Sequence, residues 1–245
     1  MEQSIDFRGE FRKDRIAGVL ILLYFVVSGI EIVAEFLKTD FLILCSKPLL
    51  MPLLIAFYWR RSERTDWIFA GALFFAWVAN MLFISKNFSC IITGTLFFMA
   101  YRILIIYLVL KLVKLPGVFP LLVGSLPFLF IYLFVANLTY GELGDGFWLF
   151  AVQGFFTIVF GGLSLGNYIF KSNKSNTYLL ISTMLFTFTQ FLFVIRLYYI
   201  SLNIFQPLAM LLFVAGQFML CQFILLEEKK LLCVENINGI KEKRE

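Results

Sequence analysis

The chain alternates long apolar runs with short polar breaks, a pattern typical of proteins that cross a membrane repeatedly. About 20 consecutive apolar residues are enough for an α-helix to cross a bilayer. We predict eight spanning helices, at residues 16–36, 41–59, 67–85, 90–113, 117–137, 147–170, 177–197 and 204–226. The predicted fold is therefore an all-α, polytopic membrane protein: one eight-helix transmembrane bundle over residues 1–245, whose last part, 227–245, is a charged cytoplasmic tail.

The positive charges fall mainly on one side of the predicted spans. Sixteen Lys and Arg residues lie in the N-terminal segment, the C-terminal tail and every second connection, whereas the other connections hold only Lys38 and Lys86. Short loops rich in Lys and Arg stay in the cytoplasm. We therefore expect both termini to be cytoplasmic, in a bacterial inner membrane. The mixed-charge start, followed by a full-length span, predicts no cleavable signal peptide.

Composition agrees with a membrane protein and narrows the possible chemistry. The chain is 61% hydrophobic and 15% charged, whereas soluble domains are about half apolar and about a quarter charged. It contains no histidine, and its four cysteines lack metal-ligand spacing. A Ser-His-Asp or Cys-His mechanism is therefore excluded. We also expect no metal or other cofactor. We expect no nucleic-acid partner, because the net charge of +5 comes from loops at the membrane edge.

Polar side chains interrupt several predicted spans, where they are costly unless they face protein, water or a ligand. On the predicted topology they cluster from the midplane to the outer end, and the cytoplasmic half is almost purely apolar. We therefore predict a polar cavity inside the bundle that opens outward or toward the outer leaflet. The interrupting residues are Glu31, Glu35, Lys47, Asn80, Arg102, Gln190, Arg196 and Gln217.

The carboxylates of Glu31 and Glu35 are four residues apart, so they share one face of a helix. Three interpretations of them remain open. They form an acid or base pair, or they form a cation site, or they are solvated at the level of the lipid head groups. Two like charges so close repel, so either one is protonated or both pair with Lys47 or Arg102.

The other polar residues also have a functional and a structural interpretation. Lys47, beside two prolines that kink its helix, is either a phosphate ligand or a side chain that snorkels outward. Arg102 is either a bidentate phosphate ligand or the partner of a carboxylate. Asn80, Gln190 and Gln217 either line the cavity or join helices by hydrogen bonds.

A weak internal similarity relates the two halves of the chain. The segment AWVANMLFI (76–84) is similar to TFTQFLFVI (187–195), and AYRILIIY (100–107) is similar to AGQFMLCQ (215–222). The paired spans run in the same direction on the predicted topology. The similarity therefore predicts a parallel 4+4 repeat.

Several short motifs resemble the YhhN-like lysoplasmalogenases over residues 16–226. They are KPLLMPLL (47–54), AWVANMLFI (76–84), GTLFFMAYRILIIY (94–107), LFTFTQFLFVI (185–195) and AGQFML (215–220). The resemblance implies an eight-span membrane enzyme that hydrolyses the vinyl ether of lysoplasmalogens to a fatty aldehyde and a glycerophospho head group. Such chemistry needs a proton placed on the vinyl β-carbon and a water that captures the oxocarbenium ion.

The chain departs from the family pattern at the acidic positions. The family commonly carries aspartates in a span-3 Gly-Asp and a span-7 Ser-Asp, where this chain has Asn80 and Gln190. Arg102 stands near the place of the family's span-4 histidine. Because amides are poor proton donors, the resemblance leaves Glu31 or Glu35 as the acid, with the two amides positioning water or glycerol.

These observations predict a lysoplasmalogenase-like protein that binds a membrane lipid or lysophospholipid in its cavity, with hydrolysis left open. The alternatives are a family member that binds lipid without catalysis, and a small transporter, which the apolar cytoplasmic half disfavours. The predicted catalytic residues are Glu31, Glu35, Asn80 and Gln190, and the predicted substrate-binding residues are Lys47, Arg102 and Gln217.

Overall fold

Helices make up almost all of the described chain. The computed structural model describes residues 7–85, 87–113, 115–139, 141, 144–200 and 202–242. A single 3-10 turn at Gly144–Gly146 precedes the sixth helix, and no strand occurs in these residues. The all-α bundle predicted from the sequence is confirmed. Its helices are α1 (Phe7–Leu37), α2 (Asp40–Arg61), α3 (Trp67–Leu82), α4 (Phe88–Leu112), α5 (Val118–Thr139), α6 (Phe147–Phe170), α7 (Lys174–Tyr198) and α8 (Phe205–Glu242).

Within the described residues, seven helices are long and apolar enough to cross a membrane. The exception is α3, whose 16 residues correspond to a length of about 24 Å, shorter than a hydrocarbon core of about 30 Å. Asp66 is its N-cap, with a side chain that accepts a hydrogen bond from the backbone nitrogen of Ile68, and the helix ends just before Phe83. Seven long spans and one shorter apolar helix therefore stand where eight similar spans were predicted.

Two helices extend beyond the predicted spans into charged sequence. The first helix begins at Phe7 instead of residue 16, and α8 continues to Glu242 instead of ending near residue 226. Lys, Glu and Leu are good helix formers, so a helix can continue after its apolar run has ended. The charge bias also used Lys86, Lys114, Lys243 and Arg244, which lie outside the described residues.

Consecutive helices pack as hairpins, α1 with α2, α3 with α4, α5 with α6, and α7 with α8. Further contacts join these hairpins into one bundle, because α1 and α2 also pack against α8, and α6 packs against α4 and α7. The interior therefore contains side chains from both halves of the chain. The parallel 4+4 repeat stays a prediction.

The α5–α6 hairpin is built on small residues that bring the two backbones into contact. A Cβ atom at Gly124 would lie 2.8 Å from the backbone nitrogen of Gly166 and 2.9 Å from the carbonyl oxygen of Gly162. One residue before Gly162, the ring of Phe128 on α5 occupies the space next to Gly161 on α6. Close approach of this kind is how helices associate in a membrane. It fixes α6 firmly, and α6 carries side chains of the site described below.

Candidate functional site

A cavity of about 150 Å³ lies at the end of the bundle where α2, α4, α6 and α8 begin. On the predicted topology this is the outer end. Its wall is mostly apolar and includes the rings of Phe98, Phe150 and Phe186. Such a wall with a few polar groups is typical of a site for a largely apolar ligand. The polar lining residues are Lys47, Asn80, Thr95, Gln153, Thr189, Gln190, Tyr198 and Gln206.

Some of the predicted site residues reach this cavity and others do not. Lys47, Asn80 and Gln190 line it. Two others lie directly behind the lining: Glu35 bonds to Lys47, and Arg102 bonds to Gln190. The remaining two are fully buried away from the lining, where the carboxylate of Glu31 contacts Lys47 and the amide of Gln217 accepts a hydrogen bond from Tyr101 at 3.1 Å.

Arg102 lies in a network of neutral oxygens and is only 3% exposed. Its Nη1 donates to Gln190 Oε1 at 2.7 Å, to the Thr157 hydroxyl, and to the backbone oxygen of Gln153 at 3.5 Å. The guanidinium carbon also lies 5.5 Å from the ring centre of Phe98, a cation–π contact. Within the described residues Arg102 pairs with no carboxylate, so the predicted structural alternative of a carboxylate partner is wrong.

Two residues of this network, Gln153 and Thr157 on α6, were not predicted from the sequence. Thr157 Oγ1 lies 2.8 Å from the backbone oxygen of Gln153 and 2.6 Å from Gln190 Oε1. The only sequence signal was their spacing, because residues four apart share a helix face inside an otherwise apolar run.

Lys47 lies between two carboxylates of α1. Its Nζ is 2.6 Å from Glu35 Oε1 and 3.4 Å from Glu31 Oε1. Glu31 also accepts a hydrogen bond from the Ser46 hydroxyl. Of the interpretations left open for the two carboxylates, pairing with Lys47 is the one that the structure shows. One cation and two carboxylates leave this cluster with an excess of negative charge when all three groups are ionised.

The carboxylate of Glu35 borders the cavity through two lining side chains. Besides its contact with Lys47, its Oε1 accepts a hydrogen bond from Gln206 Nε2 at 3.3 Å. The Oε1 atom of Gln206 in turn accepts from Arg196. Glu35 is thus one side chain removed from the space that a ligand would occupy.

The amide of Asn80 is a further polar group at the cavity wall. Its Nδ2 is buried and donates to no described residue. Buried polar groups are nearly always hydrogen-bonded in folded proteins. An unpaired donor at a cavity wall is therefore available to a ligand or to water.

A second polar cluster lies at the opposite end of the bundle. Glu228 on α8 accepts hydrogen bonds from the Tyr58 hydroxyl and from Ser62 Oγ, the latter at 2.7 Å. The Tyr58 hydroxyl also accepts from the backbone nitrogen of Asp66 at 2.8 Å. Because Ser62, Asp66 and Glu228 lie outside the predicted spans, the prediction that the cytoplasmic half of the spans is almost purely apolar stays a prediction. These contacts connect α8 to the turn between α2 and α3.

The sequence matches a known protein family over most of its length. The model of the YhhN family matches residues 42–224, a segment that contains every residue lining the cavity. Glu31 and Glu35 lie before this segment. Comparison with curated proteins and with solved structures returned no match. Because the match covers most of the sequence, the chain belongs to the YhhN family and is, at the level of that family, a lysoplasmalogenase-like membrane protein.

Proposed function

We propose that the protein binds a lysophospholipid. Its chain lies along the aromatic wall of the cavity, and its head group lies beside the polar lining residues near Arg102. The carrying observation is a mostly apolar cavity whose lining residue Gln190 bonds to a buried guanidinium, which has no carboxylate partner in the described chain. Apolar walls favour a hydrocarbon chain. A buried cation surrounded only by neutral oxygens favours an anion nearby, which the phosphate supplies.

Family membership supports a lipid with one chain, because lysoplasmalogens carry a single vinyl ether chain. Lys47 is a lining residue and offers a second positive charge, although two carboxylates already contact it. Arg102 acts across the lining, since Gln190 and Gln153 stand between its guanidinium and the cavity. In the proposed complex the phosphate therefore lies closer to Arg102 than to Lys47.

The test compares two lipids with the same chain, lysophosphatidylcholine and a monoacylglycerol, binding to the full chain in nanodiscs. We expect the wild type to bind the phospholipid at least about tenfold more tightly, the effect of one favourable interaction between opposite charges at a buried site. Arg102→Gln should lose that preference. Lys111→Gln, which removes a cation at the far end of α4, should keep it. Equal binding of both lipids by the wild type would contradict the proposal, whatever the results for the variants.

A second candidate function is hydrolysis of the vinyl ether, favoured by the position of Glu35 behind two lining side chains. A carboxylic acid protonates the β-carbon, and water adds to the resulting oxocarbenium carbon with loss of a proton. The hemiacetal then collapses to a fatty aldehyde and the glycerophospho alcohol. In this mechanism Glu35 or Glu31 is the acid, and the amides of Asn80 and Gln190 position water or glycerol.

Release of aldehyde from a lysoplasmenylcholine tests this second function. If a carboxylate is the acid, Glu35→Gln or the double variant Glu31→Gln/Glu35→Gln should lower the rate by roughly 100-fold or more. Glu228→Gln, at the other end of the bundle, is the matched control and should retain the rate. Unchanged release in the double variant excludes the carboxylate mechanism. Absence of release by the wild type excludes hydrolysis but leaves the binding proposal intact.

A further inference from the structure

The amide of Gln190 is oriented by its neighbours so that its nitrogen is available to a ligand in the cavity. Arginine only donates hydrogen bonds, so the Gln190 atom 2.7 Å from Arg102 Nη1 must be the oxygen. Thr157 Oγ1 lies 2.6 Å from the same oxygen. The opposite end, Nε2, forms no hydrogen bond with a described residue, although Gln190 lines the cavity. Gln190 therefore offers a fixed donor.

The amide of Gln153 is held the other way round. Its Nε2 donates to the backbone oxygen of Thr95 at 3.1 Å. A carbonyl only accepts, so turning the amide over would lose this bond. Its Oε1 is buried without a partner among the described residues, and the side chain is 5% exposed where it lines the cavity. Gln153 therefore offers a fixed acceptor that nothing yet satisfies.

Gln190 and Gln153 are neighbours in the cavity wall. Thr157 Oγ1 contacts both Gln190 Oε1, at 2.6 Å, and the backbone oxygen of Gln153, at 2.8 Å. A phosphate oxygen would satisfy the donor and be repelled by the acceptor, and an ammonium group would do the reverse. A hydroxyl both donates and accepts, so it is the group that satisfies the two amides together.

We infer that Gln153 and Gln190 recognise a neutral hydroxyl of the ligand, which in a lysophospholipid is the free hydroxyl on carbon 2 of the glycerol. The inference rests on the proposed function and deepens it, because it explains a preference for one-chain lipids. In a two-chain lipid that oxygen is esterified and has no hydrogen to donate to Gln153. Arg102 and Thr157 are positioning residues that hold the amide of Gln190, whereas the backbone oxygen of Thr95 holds that of Gln153.

The test uses 1-O-alkyl lysophosphatidylcholine and its 2-deoxy analogue, which share chain, ether linkage and head group. We expect the wild type to bind the hydroxyl lipid about tenfold more tightly, the worth of hydrogen bonds to otherwise unpaired groups. Gln153→Met should lose most of this difference and keep only the part that the Gln190 donor supplies. The matched control is Gln206→Met, which changes another lining amide, one with both ends already bonded, and should keep the tenfold difference.

The positioning role has its own readout. Thr157→Val removes the hydroxyl beside Gln190 Oε1 and is expected to shrink the preference for the hydroxyl lipid without changing the affinity for the deoxy analogue. A merely structural role would instead weaken both lipids equally.

The wild-type comparison decides the inference even if a variant fails to fold. Tight and equal binding of the two lipids overturns hydroxyl recognition while leaving lysophospholipid binding in place. Absence of binding to either lipid overturns both proposals.

Discussion

Lys47 on α2 and Glu35 on α1 form an ion pair in which Nζ and Oε1 are 2.6 Å apart. The ammonium group is almost fully buried, with 2% of the lysine side chain exposed. The carboxylate of Glu31 lies 3.4 Å from the same nitrogen. The pair joins the first two helices at the edge of the cavity, where a charge without a partner would be strongly destabilising.

We expect Lys47→Met to destabilise the protein by about 3–5 kcal/mol, because it leaves two carboxylates buried without their cation. Glu35→Gln should cost less, since Lys47 keeps Glu31 as a partner. Thermal unfolding in detergent, followed by circular dichroism, measures both variants. The triple variant that also replaces both glutamates with glutamine should recover most of the loss. A Lys47→Met variant as stable as the wild type would show that the ion pair contributes nothing.

The depth of the polar residues could be predicted from the sequence, but their partners could not. The hydrophobic pattern shows how far along a span a side chain lies, and it left Lys47 or Arg102 as the partner of Glu31 and Glu35. The choice depends on the rotation of each helix about its axis, which packing decides. Packing places Lys47 between the carboxylates and gives Arg102 the neutral oxygens of α6 and α7.

The contribution of α6 was missed for a related reason. Thr157 and Gln153 are uncharged, and single polar residues in an apolar helix commonly bond to a neighbouring helix without any further role. Gln217 shows the reverse case, since its amide was predicted to bind substrate but bonds to Tyr101 away from the cavity lining. Uncharged side chains in a span do not reveal from sequence alone whether they face a cavity or a helix.

The close contact between α5 and α6 gives a prediction about packing. An alanine Cβ at Gly124 would lie 2.8 Å and 2.9 Å from backbone atoms of α6, which cannot move aside as a side chain can. We therefore expect Gly124→Ala to destabilise the bundle by about 1–3 kcal/mol. Gly71→Ala in α3 is the control, because nothing lies within 4 Å of its added Cβ. That change should be neutral or stabilising by up to about 1 kcal/mol.

Thermal unfolding of the two glycine variants side by side checks this prediction. Because α6 also carries Gln153 and Thr157, the Gly124 variant should lose affinity for the hydroxyl lipid along with stability. Equal unfolding temperatures for the two variants would mean that the helices can separate at Gly124 without cost.

The cluster at the other end of the bundle predicts a stabilising role for the Tyr58 hydroxyl. It donates to Glu228 and accepts from the backbone nitrogen of Asp66, so Tyr58→Phe leaves both groups without this partner. The expected loss is about 1–3 kcal/mol. Tyr107→Phe removes a hydroxyl from an exposed position on α4 and should change stability little. If the two phenylalanine variants unfold at the same temperature, the cluster does not hold α8 to the α2–α3 turn.

The topology predicted from the positive charges decides which leaflet supplies the cavity. The cavity lies at the end where α2, α4, α6 and α8 begin, and an N-terminus in the cytoplasm places that end on the outer side. A green fluorescent protein fused to the C-terminus should therefore fluoresce, and alkaline phosphatase fused there should be inactive. Phosphatase fused after Asn87, between α3 and α4, should be active.

The opposite pattern of activities would place the cavity on the cytoplasmic side. Lysophospholipid would then enter from the inner leaflet, and the Lys47 cluster would lie near cytoplasmic head groups. The lipid-binding experiments in nanodiscs are open to both faces and would be unaffected. The fusion pattern therefore tests the charge argument by itself, because a reversed result contradicts the orientation while leaving the contacts of Arg102 and the two amides as they are.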